Sequence, residues 1–338
     1  MKALVTASLD VKTREQLGRY MELHLEDWHE TRTIHFEPAP LIERVRACGA
    51  TALIVEADMI GGEVMDACGL ELIGVCRGTP VNVDLAAATQ RGIPVFHTPA
   101  RNADAVADLT LCFFLMLARN VWPAVSWVKG ERGTIDNASD FLTMYQAMTG
   151  VELWSRTVGL IGLGAIGQRV AKRVLAFDAR VVAHDPFASD EVFAQCGVER
   201  VSLDDLLGNS DFVSLHVPDV PETKGMLGAR EIGLLKHGCY FVNTARAASV
   251  DEDALYEALT SGQITAAAFD VFWKEPVSSD DRFVRLPNVI GTPHLGGATH
   301  DVPVHQGQIL YTSIGAWIEG RRPPVIANPE VLRTSGRS

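Results

Sequence analysis

Short apolar runs alternate with amphipathic stretches along most of the chain. In the first hundred residues the apolar runs are KALVTA, TALIVEA, ELIGV and IPVFHT. The stretches between them have the periodicity of helices. Short apolar runs that are bounded by turn residues and separated by helices are typical of parallel strands. The first part of the chain is therefore predicted to form a parallel α/β domain.

A second alternating series begins near Thr157. Its apolar runs are TVGLIG, ARVVAHD, DFVSLHV, CYFVN, TAAAFD and NVIGT, and a last helix is predicted over residues 302–319. Between the two series, the sequence from Asn102 to Trp122 contains no helix breaker. It predicts one long buried helix with Asn102 as its N-cap. Residues 123–150, which follow, are predicted to be irregular.

The composition narrows the class of protein. A chain of 338 residues that is 47% apolar and 21% charged can bury a large core, and it favours two domains over one. The net charge of −12 argues against nucleic-acid binding and against an anionic membrane surface. The longest apolar run, residues 109–118, is too short to span a bilayer, and the N-terminus resembles a first strand more than a signal peptide. We expect a soluble, cytoplasmic protein.

The cysteines and histidines predict no metal site. Six cysteines are scattered in apolar contexts without a C-x-x-C pair, a pattern that favours reduced, buried thiols over disulfides or zinc ligands. The histidines at positions 24, 29, 35 and 300 form no metal-ligand grouping and are expected at the surface. His216 and His184 are expected to be structural or to line a cofactor.

A glycine motif opens the second series. Gly162, Gly164 and Gly167 form a G-x-G-x-x-G sequence between an apolar run and a helical stretch, and Asp185 follows the next apolar run. The first glycine allows a tight turn, the second lets the backbone approach a diphosphate, and the third allows close packing of helix and strand. The helix N-terminus attracts the anion. Asp185 would accept hydrogen bonds from ribose hydroxyls and repel a 2′-phosphate, so the predicted cofactor is NAD rather than NADP.

Three polar residues lie at the ends of the last apolar runs. Arg246 follows YFVNTA, Glu275 follows AAAFDVFWK, and His294 follows NVIGTP. The carboxyl ends of parallel strands meet at one edge of a sheet, where this kind of fold binds its ligands. A histidine suits proton transfer near neutral pH, a neighbouring carboxylate raises the pKa of an imidazole, and an arginine can bind a carboxylate through two hydrogen bonds. This set predicts chemistry on a 2-oxo or 2-hydroxy acid.

Six ordered motifs resemble those of the D-isomer-specific 2-hydroxyacid dehydrogenases. They are RGIPVFHTPARNADAVADLT, GVELWSRTVGLIGLGAIG, HVPDVPETKGMLG, FVNTARAASVDEDALYEAL, DVFWKEP and TPHLGGAT, and they span about residues 72–299. The resemblance implies an α/β fold of two Rossmann-like domains with a cleft between them. A flavodoxin-like substrate-binding domain would comprise residues 1–101 and 300–338, and an NAD-binding doubly wound parallel sheet would comprise residues 102–299. It also implies a homodimer, with the segment of about residues 123–150 contacting the partner.

The resemblance also implies roles for individual residues. Arg246 corresponds to the catalytic arginine, Glu275 to the carboxylate and His294 to the acid/base histidine. Asp270 ends a buried strand, where an unpaired carboxylate is costly, so the nicotinamide carboxamide is its expected partner. The expected NAD-binding residues are Gly162, Gly164, Ala165, Ile166, Gly167, Asp185, Val217, Pro218, Thr244, Ala245, Asp270, Gly296 and Gly297.

The region expected to bind substrate departs from the family pattern. The usual G-x-G-x-D-N-x-D loop, whose amides bind the substrate carboxylate, is replaced by CRGTPVNVD over residues 76–84. Gly78 and Thr79 can still offer amides, and Arg77 adds a cation that is either a carboxylate ligand or a salt-bridged loop residue. Glu56 stands where phosphoglycerate dehydrogenases of the family carry a phosphate-binding arginine. A carboxylate there repels phosphate and accepts hydrogen bonds from hydroxyls, although Arg101 or Arg77 could still hold a phosphate.

The sequence therefore predicts an NAD-dependent oxidoreductase that transfers a hydride between nicotinamide and C2 of a D-2-hydroxy acid or its 2-oxo partner, with a hydroxylated, uncharged tail. Two alternatives stay open. One is a D-3-phosphoglycerate dehydrogenase, which would lack the regulatory domain because the sequence ends at Ser338. The other is an NADH-sensing protein similar to transcriptional co-repressors of the same fold. Formate oxidation is disfavoured because it goes with glutamine in place of Glu275.

Overall fold

The computed structural model describes residues 1–131 and 134–334. These residues divide into two units, each built around its own parallel sheet. The first unit contains Met1–Asn102 together with the chain from Thr299 onward, and the second contains Ala103–Ala298.

The first unit has a sheet of five parallel strands in the order β2-β1-β3-β4-β5. The strands are β1 (Lys2–Val5), β2 (Glu22–Leu25), β3 (Ala52–Val55), β4 (Leu72–Val75) and β5 (Val95–His97). Four of them coincide with predicted apolar runs. β2 was not predicted, because its ELHL sequence lies at the sheet edge and buries none of its residues. The order is that of a flavodoxin-like fold, as expected for this part of the chain.

Helices cover both faces of this sheet. They are α1 (Val11–Leu17), α2 (Trp28–Thr31), α3 (Pro38–Cys48), α4 (Gly62–Cys68) and α5 (Leu85–Gln90). Successive residues of β3 point to opposite faces, so Leu53 packs in one apolar cluster and Ile54 in another. A strand buried on both faces needs a continuous apolar run, which explains why these strands could be recognised from sequence.

The second unit has a sheet of seven parallel strands in the order β12-β11-β10-β9-β6-β7-β8. The strands are β6 (Thr157–Ile161), β7 (Arg180–His184), β8 (Glu199–Arg200), β9 (Phe212–Leu215), β10 (Cys239–Asn243), β11 (Ile264–Phe269) and β12 (Val289–Gly291). The order reverses direction at β6, as in doubly wound nucleotide-binding sheets. The expected NAD-binding type of fold is therefore present, and only the two-residue strand β8 lacked a signal in the sequence.

The helices of the second unit differ from the prediction at one point. They are α6 (Ala103–Ala118), α7 (Val121–Val128), α8 (Ala138–Met148), α9 (Ala165–Leu175), α10 (Asp190–Cys196), α11 (Leu203–Asn209), α12 (Ala229–Leu234) and α13 (Glu252–Thr260). The prediction of a single long helix from Asn102 to Trp122 was wrong. Asn120 adopts a left-handed conformation with φ of 50°, and α7 continues at an angle of 67° to α6. The prediction that residues 123–150 are irregular was also wrong. α7 and α8 fill most of it, and the side chain of Asn137 caps α8.

The chain then returns to the first unit with α14 (Val302–Ile318) and α15 (Glu330–Thr334). Leu310 and Ile314 of α14 are fully buried against the sheet of that unit. Within the described residues, no single helix is long and apolar enough to cross a membrane, and α6 and α7 meet that criterion only as a bent pair.

All six cysteines are free thiols. Cys76 and Cys239 are buried, and burial raises the pKa of Cys239 to about 12, so this thiol stays protonated. Cys112 is exposed and Cys48, Cys68 and Cys196 are only partly buried, so the expectation that the cysteines are buried was wrong for these four.

Candidate active site

A carboxylate and an imidazole meet beyond the carboxyl ends of β11 and β12. Nδ1 of His294 lies 2.8 Å from Oε2 of Glu275. The other carboxylate oxygen, Oε1, accepts a hydrogen bond from the backbone amide of Phe272 at 3.1 Å. The carboxylate is thus held by its own loop and in turn orients the ring. Because Nδ1 faces Glu275, Nε2 is the ring nitrogen that can exchange a proton with a ligand.

The backbone of His294 has an unusual conformation. Its φ is 59°, in the left-handed region that residues other than glycine rarely adopt, and its amide donates to the carbonyl of Thr292 at 3.0 Å. Such conformations cost of order 1–3 kcal/mol and persist only where surrounding contacts impose them. The imidazole is therefore placed by the backbone of a tight turn as well as by Glu275.

Asp270 provides the contacts that hold this turn. Its Oδ1 accepts hydrogen bonds from the Thr292 hydroxyl at 2.6 Å and from the Leu295 amide at 2.7 Å. Its Oδ2 accepts from the Gly296 amide at 2.7 Å. The three donors lie on both sides of His294, and Asp270 itself is only 1% exposed. These protein donors already satisfy the buried carboxylate, which anchors the histidine turn. The nicotinamide carboxamide stays a predicted further partner of Asp270.

Arg246 follows β10, the neighbour of β11. The side chain of Asn243 fixes the turn before it, because its Nδ2 donates to the carbonyl of Arg246 at 2.9 Å and its Oδ1 accepts from the amide of Ala245 at 3.0 Å. The guanidinium is half-exposed and lies 3.5 Å from a carboxylate oxygen of Asp219. Within the described residues no hydrogen bond links it to Glu275 or His294. Its Nη1 donates to the carbonyl of Ala245 at 2.7 Å, whereas its Nη2 has no acceptor among the described residues and is available to a ligand.

The glycine motif connects β6 to α9. Gly162 has a φ of 97°, and a Cβ atom there would lie 2.6 Å from the carbonyl oxygen of His216. A Cβ on Gly167 would lie 2.2 Å from the carbonyl oxygen of Gly162. A Cβ on Gly164, in contrast, would meet nothing within 4 Å, so the space beside this residue is open. No side chain caps α9, which leaves first-turn amides such as that of Ile166 for an anion. These residues fit a dinucleotide diphosphate.

The carboxylate of Asp185 lies beside this glycine turn. Its Oδ2 accepts from the amide of Leu163 at 2.8 Å. Its Oδ1 accepts from the amides of Phe187 and Ala188 at 2.8 and 3.1 Å. The residue predicted to bind the adenosine ribose thus also ties its own loop to the glycine turn.

Comparison with known proteins identifies the family. Residues 111–296 match the model of the D-isomer specific 2-hydroxyacid dehydrogenase NAD binding domain, which is more than half of the chain. The chain belongs to the D-isomer-specific 2-hydroxyacid dehydrogenases. It is accordingly an NAD-dependent oxidoreductase that transfers hydride between the cofactor and a 2-hydroxy or 2-oxo acid.

Relatives of this dehydrogenase match most of its length. YoaD of Bacillus subtilis (strain 168), named provisionally as a 2-hydroxyacid dehydrogenase, is 38% identical over 99% of the chain and 97% of its own length. A D-3-phosphoglycerate dehydrogenase of Methanocaldococcus jannaschii is 39% identical over 77% of the chain but only 48% of its own length. The crystal structure of the TT0316 protein from Thermus thermophilus superimposes with a TM-score of 0.80 at 35% identity, covering 97% of this chain and 100% of that one.

The remaining residues predicted to bind NAD lie around the same edge of the dehydrogenase's seven-stranded sheet. They are Val217 and Pro218 after β9, Thr244 and Ala245 after β10, and Gly296 and Gly297 after β12. Thr244 is buried and its hydroxyl lies 3.0 Å from that of Thr110 on α6. His216 is also buried, and burial lowers its pKa to about 3, so this imidazole is neutral.

The residues predicted to bind substrate lie at the carboxyl edge of the first unit's sheet. Arg77 follows β4, and neither an ion pair nor a side-chain hydrogen bond to its guanidinium occurs among the residues described. Gly78 and Thr79 are exposed, and their amides donate to no acceptor in that part of the chain. The side chain of His97 supports this loop through its Nδ1, which lies 2.7 Å from the carbonyl oxygen of Gly78.

Glu56 follows β3 and is not a free carboxylate. Its Oε1 lies 3.0 Å from the guanidinium of Arg101, and its Oε2 accepts from the indole nitrogen of Trp28 at 3.0 Å. Arg101 also donates to the side chain of Gln306 at 2.6 Å. Glu56 was expected to repel phosphate, but in the structure the opposite charge of Arg101 offsets that of the carboxylate.

Sequence reasoning missed several residues that position the site. Asp219, Asn243 and Thr292 each contact a predicted residue or its turn. Thr292 and Asn243 lie within two or three positions of His294 and Arg246, so proximity in sequence was an available signal. Arg101 was named only as a possible phosphate ligand, and nothing in the sequence indicated that it pairs with Glu56.

Proposed function

We propose that His294 is the acid/base of this dehydrogenase, that Glu275 is its carboxylate partner and that Arg246 orients the substrate. The observation that carries this proposal is the 2.8 Å contact between Nδ1 of His294 and Oε2 of Glu275. Hydride transfer to or from C2 must be accompanied by proton transfer at the C2 oxygen. A histidine whose Nδ1 is held by a carboxylate presents Nε2 for that transfer.

In the direction of reduction, bound NADH supplies the hydride that C2 of the 2-oxo acid receives. Nε2 of His294 donates its proton to the C2 oxygen, which completes the 2-hydroxy acid. The Glu275 carboxylate holds Nδ1 of the ring and so leaves Nε2 as the nitrogen that transfers the proton. The half-exposed guanidinium of Arg246 can bind the substrate carboxylate and polarise the C2 carbonyl.

The substrate carboxylate is proposed to bind at Arg77, Gly78 and Thr79. The support is that all three offer donors without a protein acceptor in the described part of the chain. Pro80, which has no amide hydrogen, shortens the amide cradle expected for the family, and the unpaired guanidinium of Arg77 supplies the missing donor. This favours a carboxylate ligand over the alternative of a salt-bridged loop residue.

The tail of the substrate is proposed to be uncharged and hydroxylated. Glu56 and Arg101 form an ion pair whose side chains are only 16% and 19% exposed, so the pair offers both acceptors and donors but no net charge. Hydroxyl groups both donate and accept hydrogen bonds. A phosphate, in contrast, would have to compete with Glu56 for Arg101.

A panel of 2-oxo acids tests this assignment. The purified protein would be assayed for NADH oxidation with 2-oxo acids that carry hydroxylated, aliphatic or phosphorylated tails. We expect the highest kcat/KM for a hydroxylated tail. A clear preference for 3-phosphohydroxypyruvate would contradict the proposal and favour a phosphoglycerate dehydrogenase.

Glu56→Gln provides a sharper test of the ion pair. The amide can still accept from Trp28, but it leaves the charge of Arg101 uncompensated. Opposite charges about 4 Å apart near a surface interact with roughly 4 kcal/mol, so kcat/KM for a phosphorylated substrate should rise by about tenfold or more. Asp66→Asn, which breaks the ion pair with Arg91 on the helices of the same unit, is the matched control and should change no substrate preference. An equal response of the two variants would argue against a role of Glu56 in specificity.

We also infer a homodimer formed through α7 and α8. Trp122, Phe141, Leu142 and Tyr145 on these helices are half to nearly two-thirds exposed, although they are large and apolar or aromatic. Exposed apolar surface of this kind is typical of an interface. The homodimer and the cytoplasmic location stay predictions.

A further inference from the structure

One guanidinium holds the loop that carries Asp185. Arg200 lies on β8, which pairs with β7. Its Nη1 donates to the carbonyl of Asp185 at 3.1 Å, and its Nη2 donates to the carbonyl of Ala188. Nη2 also lies 3.1 Å from Oδ1 of Asp190, and the guanidinium carbon is 4.1 Å from the centre of the Phe193 ring. A single side chain therefore contacts this loop, residues 185–190, near its start, in its middle and at its end.

The contacts of Arg200 complement those of the Asp185 side chain. Arg200 binds the backbone of Asp185, while the Asp185 carboxylate binds the amides of Leu163, Phe187 and Ala188. Carbonyls in a loop, such as that of Ala188, do not pair within a sheet or a helix, so they need a donor from elsewhere, here a side chain. The position of the carboxylate beside the glycine turn thus depends on both sets of contacts.

We propose that Arg200 is a positioning residue for cofactor selectivity. It holds the loop so that the Asp185 carboxylate is fixed where it accepts hydrogen bonds from the adenosine ribose of NAD and repels the 2′-phosphate of NADP. The inference rests on the role assigned to Asp185. Arg200 itself is not a phosphate site in this arrangement, because both of its Nη atoms are directed to the loop. From its position on the short edge strand β8, Arg200 instead holds the neighbouring loop.

Loss of Arg200 should affect the two cofactors unequally. Without its donors the loop has to be ordered when the cofactor binds, which weakens NADH. NADPH binding is weakened by the same ordering of the loop. It is also strengthened, because the carboxylate of Asp185 is no longer held where it repels the 2′-phosphate. The ratio of the two dissociation constants therefore reports on Arg200 more directly than either value alone.

The experiment compares Arg200→Met with Arg180→Met. Arg180 on β7 forms an ion pair with Glu199 of β8, and among the described residues no hydrogen bond or ion pair joins its side chain to the loop. Its replacement therefore controls for the loss of a surface cation near the same sheet edge. Dissociation constants for NADH and NADPH would be measured by nucleotide fluorescence without substrate. For Arg200→Met we expect NADH to bind about tenfold more weakly, as for the loss of one or two charged hydrogen bonds, and NADPH to change by less than about threefold. Arg180→Met should leave the ratio unchanged.

Two further variants keep the test decisive. Arg200→Lys retains the charge and the bulk of the side chain but not the two-pronged geometry, so it should shift the ratio in the same direction by a smaller amount. Asp185→Ser should lower the preference for NADH by itself, and adding Arg200→Met should change the ratio little more, because Arg200 acts through Asp185. Faster hydrogen exchange at the amides of Phe187 and Ala188 in Arg200→Met would show the loosened loop.

The outcomes separate the two assignments. If Asp185→Ser leaves the NADH to NADPH ratio unchanged, the role of Asp185 fails. If Asp185→Ser changes the ratio but Arg200→Met behaves like Arg180→Met, the role of Asp185 stands and the inference about Arg200 is overturned. Additive effects of Arg200→Met and Asp185→Ser would also overturn it.

Discussion

Replacing His294 with alanine should lower kcat by about a hundredfold or more, because general acid/base groups contribute roughly 10²–10⁴-fold to such reactions. NADH binding should change little, since the imidazole is not among the residues proposed to bind the cofactor. Steady-state kinetics with a 2-oxo acid would give kcat, and nucleotide fluorescence would give the dissociation constant. A loss of NADH affinity equal to the loss of kcat would contradict the assignment, because it would indicate a general disruption of the site.

His237→Ala is a suitable control for this measurement. His237 is an exposed histidine of the same unit that precedes β10 and lies outside the residues of the site. Its replacement should leave kcat unchanged. His294→Asn adds a second comparison, because asparagine tolerates the left-handed backbone better than alanine does. If the loss of activity reflects only a rearranged turn, asparagine should restore most of it. If the proton is the reason, both variants should be equally inactive.

Asp270→Asn should lower both activity and stability. The carboxylate accepts hydrogen bonds at both oxygens, from the Thr292 hydroxyl and Leu295 amide on one side and the Gly296 amide on the other. An amide has only one oxygen, so its NH₂ group would face a buried donor. An unsatisfied buried donor costs about 1–3 kcal/mol, and the free energy of unfolding should fall by a similar amount. The turn that carries His294 would also shift, and we expect kcat to fall by roughly tenfold or more, as misplacement of a reacting group commonly causes.

Denaturant unfolding and kinetics together distinguish this role from simple cofactor binding. If Asp270 served only the nicotinamide, Asp270→Asn would weaken NADH but leave the unfolding free energy unchanged. Asp251→Asn is the matched control, because Asp251 is an exposed N-cap of α13 and asparagine caps a helix as well as aspartate does. A loss of stability that is no greater than in this control would count against the anchoring role.

The parts of the fold that could be predicted are those in which local sequence and burial agree. Strands that are buried on both faces need apolar runs, and ten of the twelve strands in the described part of the chain have them. β2 and β8 lie at sheet edges, where burial imposes no apolar pattern. The break at Asn120 had no glycine or proline at the residue itself, and the chain turns there because Asn120 adopts a left-handed conformation. Local patterns do not register such a bend.

The candidate site shows the same division. The positions of Arg246, Glu275 and His294 after neighbouring strands followed from the strand pattern. Their hydrogen-bond partners did not, because these depend on loops that meet only in the folded chain. Asp270 finds its donors more than twenty positions away, and Glu56 finds Arg101 across β4. The type of a residue and its position after a strand can thus suggest a role. Which charged groups surround that residue can be known only from the tertiary structure.

The left-handed backbone of His294 has a consequence for protein engineering. The backbone of the turn, and not only the side-chain torsions, sets the orientation of the imidazole. If a histidine and a glutamate were copied onto a loop of another protein with right-handed backbone conformation, the residues would be present but their side chains would be oriented differently. A transplanted version would need the whole turn with the aspartate that braces it. To transfer this chemistry to another protein, the turn and the aspartate that holds it must be transferred together. This requirement limits the scaffolds that are suitable.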